Sequence, residues 1–297
     1  MFADRLRKSL LQAAIQGQLT KQLSTDGDAR DLLKKIRAEK AKLVAEKKIK
    51  VEKPLPPISD DEIPFDLPDN WCWCRLGEVC NYGANEIALP VAMEHGKILI
   101  DLEDIEKDSG KLINKKFFDG TNANSSKNIF RRGQVLFGKL RVYLNKIIVA
   151  DQDGYCSSEI LPLDFGRNIL SKYAQIVLMS PPFLSYANSC SYGTKMPRLS
   201  TKAGQLALFP LPPLSEQKRI VTRLKELLAE VNELDRDERE LTELEENFPR
   251  SMRNSLLQAA IQGKLTEQLT SEGDAHDLLR KIRAEKDKLI TEKKNQG

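Results

Sequence analysis

The spacing of hydrophobic positions changes several times along the chain, and the changes divide it. Leu10, Leu11, Ala14 and Ile15 form a short stripe at helical spacing, closed by Gly17 as a C-terminal stop. Asp28, with Asp31 three residues on, caps a second helix whose apolar positions include Leu32, Leu33, Ile36 and Leu43, and whose other positions are Lys, Arg and Glu. The proline-rich run Glu52–Pro68 ends helical periodicity and reads as a linker. Trp71–Val79, Lys97–Ile105, Gly133–Ala150 and Ile160–Phe165 then have a strand texture, rich in β-branched and aromatic residues with turn signals between them. Ser171–Met179 and Pro182–Ser189 read as helices on that sheet. After Pro210–Leu214 a heptad begins, with Ser215 as N-cap and Ile220, Leu224, Leu227, Val231, Leu234, Leu241 and Phe248 as its seam; Glu238 and Glu245 fill the missing places. A helix over Ser215–Phe248 would reach roughly 50 Å at about 1.5 Å per residue. Pro249 is expected to end or kink it, and a seam that long needs a partner helix.

The two ends of the chain are copies of each other. Arg7–Lys48 matches Arg253–Lys294 at a constant offset of 246, with 31 of 42 positions identical. SLLQAAIQGQLT from Ser9 answers SLLQAAIQGKLT from Ser255, and DLLKKIRAEKAKL from Asp31 answers DLLRKIRAEKDKL from Asp277. The offset is far too wide for a solenoid of 20–50-residue units. One mixed α/β module bracketed by two copies of a helical element is the architecture this implies.

Composition and chemistry narrow the function. With 297 residues, 40% hydrophobic and 30% charged, the chain reads as a soluble protein with much solvated helix. No apolar run approaches the roughly 18 residues of a membrane span, and the N-terminus lacks the pattern of a signal peptide. Five cysteines without an export signal are expected to be reduced thiols in a cytoplasm. Cys72, Cys74 and Cys80 lack partner ligands for zinc, because the only histidines are His95 and His276, and His276 occupies the place of Arg30 in the repeat. That scarcity also argues against histidine-based nucleophilic catalysis. Neither a GxxxxGK[ST] loop nor a GxGxxG fingerprint occurs. Ser180-Pro181-Pro182-Phe183 fits the signature of N6-adenine methyltransferases, but no glycine-rich turn for S-adenosylmethionine precedes it, and a Pro-Pro helix start explains it better.

Charge is where the sequence points to a partner. Asp66–Gly110 carries ten acids against Arg75, Lys97 and Lys107, a net −7, whereas Lys111–Lys202 carries a net +9. A basic stretch of that size suggests a face for a polyanion. If Phe137–Lys146 is a strand, Lys139, Arg141, Tyr143 and Asn145 share one face, with Lys146 beside them. Lys and Arg hold phosphates or read guanine, and Asn reads adenine. Ser191–Ser200 is a second basic loop, with Lys195 and Arg198 after a glycine turn, and Lys115, Lys116, Lys127, Arg131 and Arg132 add phosphate-binding charge. The acidic stretch leaves open a DNA-mimicking inhibitor or scaffold.

Several ordered blocks resemble the specificity subunit of type I restriction–modification systems. Leu67–Val79 resembles the opening of a target-recognition domain, Val135–Leu163 its central block, and Tyr192–Ser200 with Leu208–Leu224 its exit and the start of a conserved helical spacer. The resemblance implies an α+β chain. Its expected parts are a helical repeat copy over 1–53, a linker over 54–65, a mixed α/β recognition domain over 66–211 and a spacer over 212–297, the long helices forming an antiparallel coiled coil. It implies no catalysis and no cofactor in this chain: S-adenosylmethionine belongs to the partner methyltransferase, ATP and Mg to the partner restriction and translocation subunit. The expected partners are double-stranded DNA and those subunits. Family members carry two recognition domains and this chain has one, so a half-size subunit would pair with itself as a homodimer. A longer subunit cut short, or an inactive fragment, is the other reading.

Overall fold

The structure, a computed structural model, describes residues 2–47, 54–267 and 269–294. Lys48 at the end of the first repeat copy, and Glu52 and Lys53 at the head of the expected linker, lie outside the described residues. The chain divides into two compact units, residues 1–235 and 236–297.

In the first unit, α1 (Phe2–Ile15) and α2 (Ala29–Ala45) precede the extended 54–68 segment, whose only regular turn is a 3-10 turn at Asp60–Glu62. Asp28 caps α2 as its position predicts, accepting the Arg30 N–H. Next come β1 (Cys72–Arg75), α3 (Leu76–Val79), β2 (Ile87–Ala88), β3 (Ile98–Ile100), β4 (Lys116–Phe117), β5 (Lys127–Phe130), β6 (Val135–Gly138), β7 (Ile147–Val149), β8 (Gly154–Cys156) and β9 (Ile160–Leu163). Helices α4 (Ser171–Met179), α5 (Pro181–Ser189) and α6 (Thr201–Leu206) follow, then β10 (Leu208–Leu211) and the long α7 (Leu214–Ile261).

The strands make three sheets. β1 pairs with β10; five strands lie in the order β2-β5-β8-β3-β4, with only β3 and β8 parallel; and β7-β6-β9 form an antiparallel three-stranded sheet. β6 is central and buried at every position, so its VLFG sequence is continuously nonpolar instead of alternating. Helix α4 covers β7 and β6, placing Tyr173, Ala174 and Val177 in the main core with Trp71, Phe137 and Phe209. Leu11, Ile15, Leu33 and Ile36 of α1 and α2 belong to the same core, so the first repeat copy packs directly on the sheet-bearing domain. A mixed α/β fold with a long C-terminal helix is therefore what forms.

Three expectations need correction. Strand character does not run through Trp71–Val79 or Lys97–Ile105: β1 turns into α3 after Arg75, and β3 into a 3-10 turn at Leu102–Asp104. The strand across Phe137–Lys146 stops at Gly138, because β6 and β7 pair antiparallel (Val135 opposite Val149) and the chain must reverse between them. Finally, Pro249 does not end α7. The helix passes through it to Ile261, so the spacer helix and the first helix of the second repeat copy are one element, closed at Gly263 (φ 65°) as α1 is closed at Gly17 (φ 72°).

Within residues 1–235 the heptad seam is covered at Ile220, Leu224 and Val231 and half-covered at Leu227 and Leu234. α1 runs antiparallel to the start of α7: Arg7 donates to Asn232, and further along the chain Thr20 donates to Glu216. In the second unit Leu241 and Phe248 are exposed, and α8 (Ala275–Lys294) repeats α2, with Asp274 accepting the His276 N–H as Asp28 accepts that of Arg30.

Candidate nucleic-acid interface

The reversal between β6 and β7 produces an eight-residue loop, Lys139–Lys146, built around a 3-10 turn at Val142–Leu144. Arg141 and Asn145 flank that turn, both in the left-handed region (φ 51° and 49°), so Lys139, Arg141, Tyr143 and Asn145 do not share a strand face. The loop is tied to the Tyr192–Ser200 segment along its length. The Arg141 N–H donates to the Pro197 carbonyl at 2.7 Å, the Leu199 N–H donates to that of Lys139 at 3.0 Å, and Leu140 and Tyr192 each bridge to Arg198. Two basic loops whose bonded residues, such as Arg141 and Pro197, lie 56 positions apart in sequence thus form one lip. Tyr143 and Tyr192 are exposed on it. Sequence reasoning passes over Tyr192, although its place in a glycine-turn loop beside Lys195 and Arg198 is the signal that finds it.

Charge on the lip and around it is not uniform. Arg198 forks onto Glu159 at 3.0–3.2 Å, which raises the arginine's pKa. Lys139, Arg141 and Lys195 have no acidic partner among the described residues. Asn145 is buried, its Nδ2 donating to the Met179 carbonyl at 3.4 Å, so its side chain is held inside the fold.

The remaining expected contacts lie elsewhere. The Leu102–Asp104 turn collects three lysines: Lys127 pairs with Asp101 at 3.0 Å, Lys116 with Glu103 and Asp104 at 2.6 and 2.9 Å, and Lys146 donates to the Leu102 carbonyl at 2.7 Å. The Glu103 and Asp104 carboxylates hold the Lys116 ammonium well above lysine's ordinary pKa. Arg131 forks onto Glu86 at 2.8–3.0 Å. Lys115 lies 3.6 Å from Asp151, and exposed Arg132 lines a shallow hollow with Lys97, Asp151 and Asp153. Acidic and basic stretches that look segregated in sequence therefore neutralise one another in the fold. Exposed pairs such as Arg131–Glu86 contribute about 0–1 kcal/mol of stability each, and in exposed and part-buried pairs alike the cations are already engaged.

The other candidate chemistry resolves into packing. Ser180 is fully buried and its Oγ donates to the Val177 carbonyl at 2.6 Å; Pro181 and Pro182 open α5, and Phe183 packs on Phe137. The Ser-Pro-Pro-Phe motif is a helix junction in the core. Burial pushes the Cys72 thiol up to about 11 and that of Cys74 further, away from thiolate chemistry. Among the described residues no group of three or more His, Cys, Asp or Glu is placed to hold a metal, and no helix is long and apolar enough to cross a membrane.

Comparison with known proteins decides the family. The profile of the type I restriction modification DNA specificity domain matches residues 68–246. The chain belongs to that family. The specificity subunit of the Escherichia coli type I restriction enzyme EcoAI is 32% identical over 266 residues, covering 78% of this chain and 41% of the relative. That of EcoDI is 27% identical over 290 residues, covering 95% and 60%. The chain thus spans about 40–60% of the length of these relatives. Among solved structures, the HsdS subunit of Thermoanaerobacter tengcongensis matches with a TM-score of 0.54 at 27% identity, over 67% of this chain and 51% of that one. A chain from a study of complex assembly and conformational transition in the type I R-M system matches with a TM-score of 0.59 at 26% identity, over 65% and 51%. The specificity-domain match contains β1, the three sheets, the lip and the first part of α7.

Proposed function

We propose that this chain is the DNA-recognition component of a type I restriction–modification assembly, without catalysis of its own. The observation that carries this reading is the lip of the Lys139–Lys146 and Tyr192–Ser200 loops, with unpaired Lys139, Arg141 and Lys195 beside exposed Tyr143 and Tyr192, in a domain of the specificity family. The cations hold the domain on phosphates, and polar groups nearby read bases in one half of a split target. The helices offer a methyltransferase its docking surface. That enzyme brings S-adenosylmethionine and flips the target adenine out, and a separate ATP- and Mg-dependent subunit translocates and cuts. Two copies pair as a homodimer, the common twofold solution, and read a symmetric, interrupted site. The acids of Asp66–Gly110 that pair with lysines and arginines of their own domain give a DNA-mimicking inhibitor little to work with.

The test is single-base methylome mapping in cells expressing the chain with its cognate methyltransferase, against cells lacking the chain. A split N6-methyladenine motif that depends on the chain is expected. Inverted identical halves would confirm the homodimer, unlike halves would require a second recognition domain, and no motif despite a stable complex would refute the recognition role. Exchanging residues 66–211 for those of another family member is expected to change the motif and preserve assembly.

A further inference from the structure

The Lys139–Lys146 loop leaves two polar side-chain atoms buried without a partner, Arg141 Nε and Asn145 Oδ1. Both residues are held in the left-handed region (φ 51° and 49°), which strains a non-glycine L-residue. Asn145 is accounted for in part, since its Nδ2 reaches the Met179 carbonyl. Arg141 is not. Its guanidinium makes no hydrogen bond or ion pair with any described residue, while Arg131 and Arg198 each fork onto a carboxylate. Exposed Arg132 needs no protein partner because water serves it, but Arg141 is half-buried and its Nε is removed from solvent. A guanidinium cannot relieve that penalty by losing its proton, and its two terminal nitrogens, which are not enclosed and which no described residue engages, are left to take an acceptor from outside.

The surroundings specify the acceptor. Glu159, a carboxylate anchored to this lip, is already forked by Arg198, and Lys139 and Lys195 add positive charge with no acidic partner among the described residues. An anionic oxygen suits such a site, and a guanidinium fork holds phosphate oxygens well. We propose that Arg141 receives a backbone phosphate of the DNA and sets the register of the domain on the duplex, without reading a base; the inference rests on the DNA-recognition reading above. The retracted side chain favours this role. A phosphate riding on the protein surface reaches a guanidinium held back in the lip, whereas a base edge on the floor of a major groove about 8.5 Å deep needs a side chain that projects.

The experiment measures binding of the complete complex with its methyltransferase, by fluorescence anisotropy between 50 and 200 mM salt. One duplex carries the motif mapped in cells and the other is a scrambled duplex of equal length. R141G, which relieves the left-handed strain, is compared with R141K, which keeps the charge. Expected for R141G is a loss of about tenfold on both duplexes alike, as for a hydrogen bond to a charged group, with the slope of log K against log salt smaller by about 1. R141K is expected to keep the slope and recover part of the affinity. Melting of R141G at or above the wild-type temperature would separate the lost contact from unfolding, and a lower melting temperature with unchanged slope would make Arg141 structural and overturn the proposal. A loss confined to the motif duplex, with unchanged slope, would make Arg141 a base reader, and unchanged binding would leave it without a ligand; either overturns the proposal. Wild type binding both duplexes equally would sink the recognition reading while the slope still decides Arg141, and wild type binding neither would overturn both.

Discussion

Replacing Glu216 isolates the joint on which the spacer helix is mounted. Glu216 lies in the first turn of α7, fully buried, where the helix dipole favours a carboxylate. It accepts from Trp71 Nε1 at 2.8 Å and from Thr20 Oγ1 at 3.1 Å, so one side chain joins the first repeat copy, the strand β1 end of the domain and α7. Two hydrogen bonds to a charged acceptor contribute about 1.5–3 kcal/mol each, and removing them leaves buried donors unmatched. Part of that loss is offset because the buried carboxylate is itself unfavourable: desolvation raises its pKa, against the lowering effect of Trp71 and Thr20. Glu216→Ala should therefore destabilise by about 3 kcal/mol net. At about 2–4 °C per kcal/mol for a unit of this size, that is a fall of roughly 6–12 °C in Tm. Glu216→Gln should lose less than about 1 kcal/mol, because its amide oxygen accepts from Trp71 and the Thr20 hydroxyl can turn to accept from its NH2. A raised folded pKa contributes stability that is complete below the unfolded pKa and disappears as pH rises through the folded one. The glutamine variant should accordingly gain on wild type as pH rises above glutamate's ordinary value of 4.5. Thermal and urea unfolding of both variants at fixed protein concentration checks this. An alanine variant within about 0.5 kcal/mol of wild type, or a glutamine variant as unstable as alanine, would show that the joint is not held through this carboxylate.

Three other outcomes follow from named contacts. A Cβ on Gly204 would overlap the ring of Tyr82, which is buried against α6, so Gly204→Ala should destabilise by about 1–3 kcal/mol in urea titration although alanine favours helix. Arg131→Gln removes a cation already forked onto Glu86 and should leave the salt dependence of DNA binding unchanged, whereas Lys139→Ala and Lys195→Ala should each reduce the slope by about 1. Asp26 is held at about 2, chiefly by the Arg219 guanidinium, so its contribution is complete above the unfolded value of 3.8 and disappears as pH falls through about 2; in acid titration followed by circular dichroism the gap between wild type and Asp26→Asn should close over that interval.

What could be read from the sequence was what local rules determine. The helix at Ser171–Met179, the cap at Asp28 and the repeated helices follow from periodicity and capping chemistry, and the structure has them where the residues put them. The lip was half legible: its two loops stand out as basic, but their joining depends on hydrogen bonds between residues more than 50 positions apart, such as Arg141 to Pro197. The conformation of the first loop was marked only weakly, at Asn145. Left-handed backbone is marked in sequence by glycine or, more weakly, asparagine, and nothing marks Arg141 as left-handed, so an alternating run looked like a strand. Charge misled for a related reason. Counting by segment separates −7 from +9, but antiparallel pairing sets Glu86 beside Arg131, since Ile87 lies opposite Asn128, and packing brings Asp101 to Lys127.

The duplicated helices show where local rules stop. Leu11, Ile15, Leu33 and Ile36 are each less than 10% exposed, while their counterparts Leu257, Ile261, Leu279 and Ile282 are 48–88% exposed. The same residues form the same secondary structure in both copies, with the same 3-10 turn and the same left-handed glycines at Gly27 and Gly273. Helix formation is therefore a property of the repeat itself, and burial is a property of what the repeat meets. In the first copy it meets β1, α4 and α5, through a core that includes Trp71 and Phe183. An apolar stripe tells which face of a helix needs cover, and a copy that differs at 11 of 42 positions needs the same cover. Periodicity identifies the need, and only tertiary contacts identify what meets it.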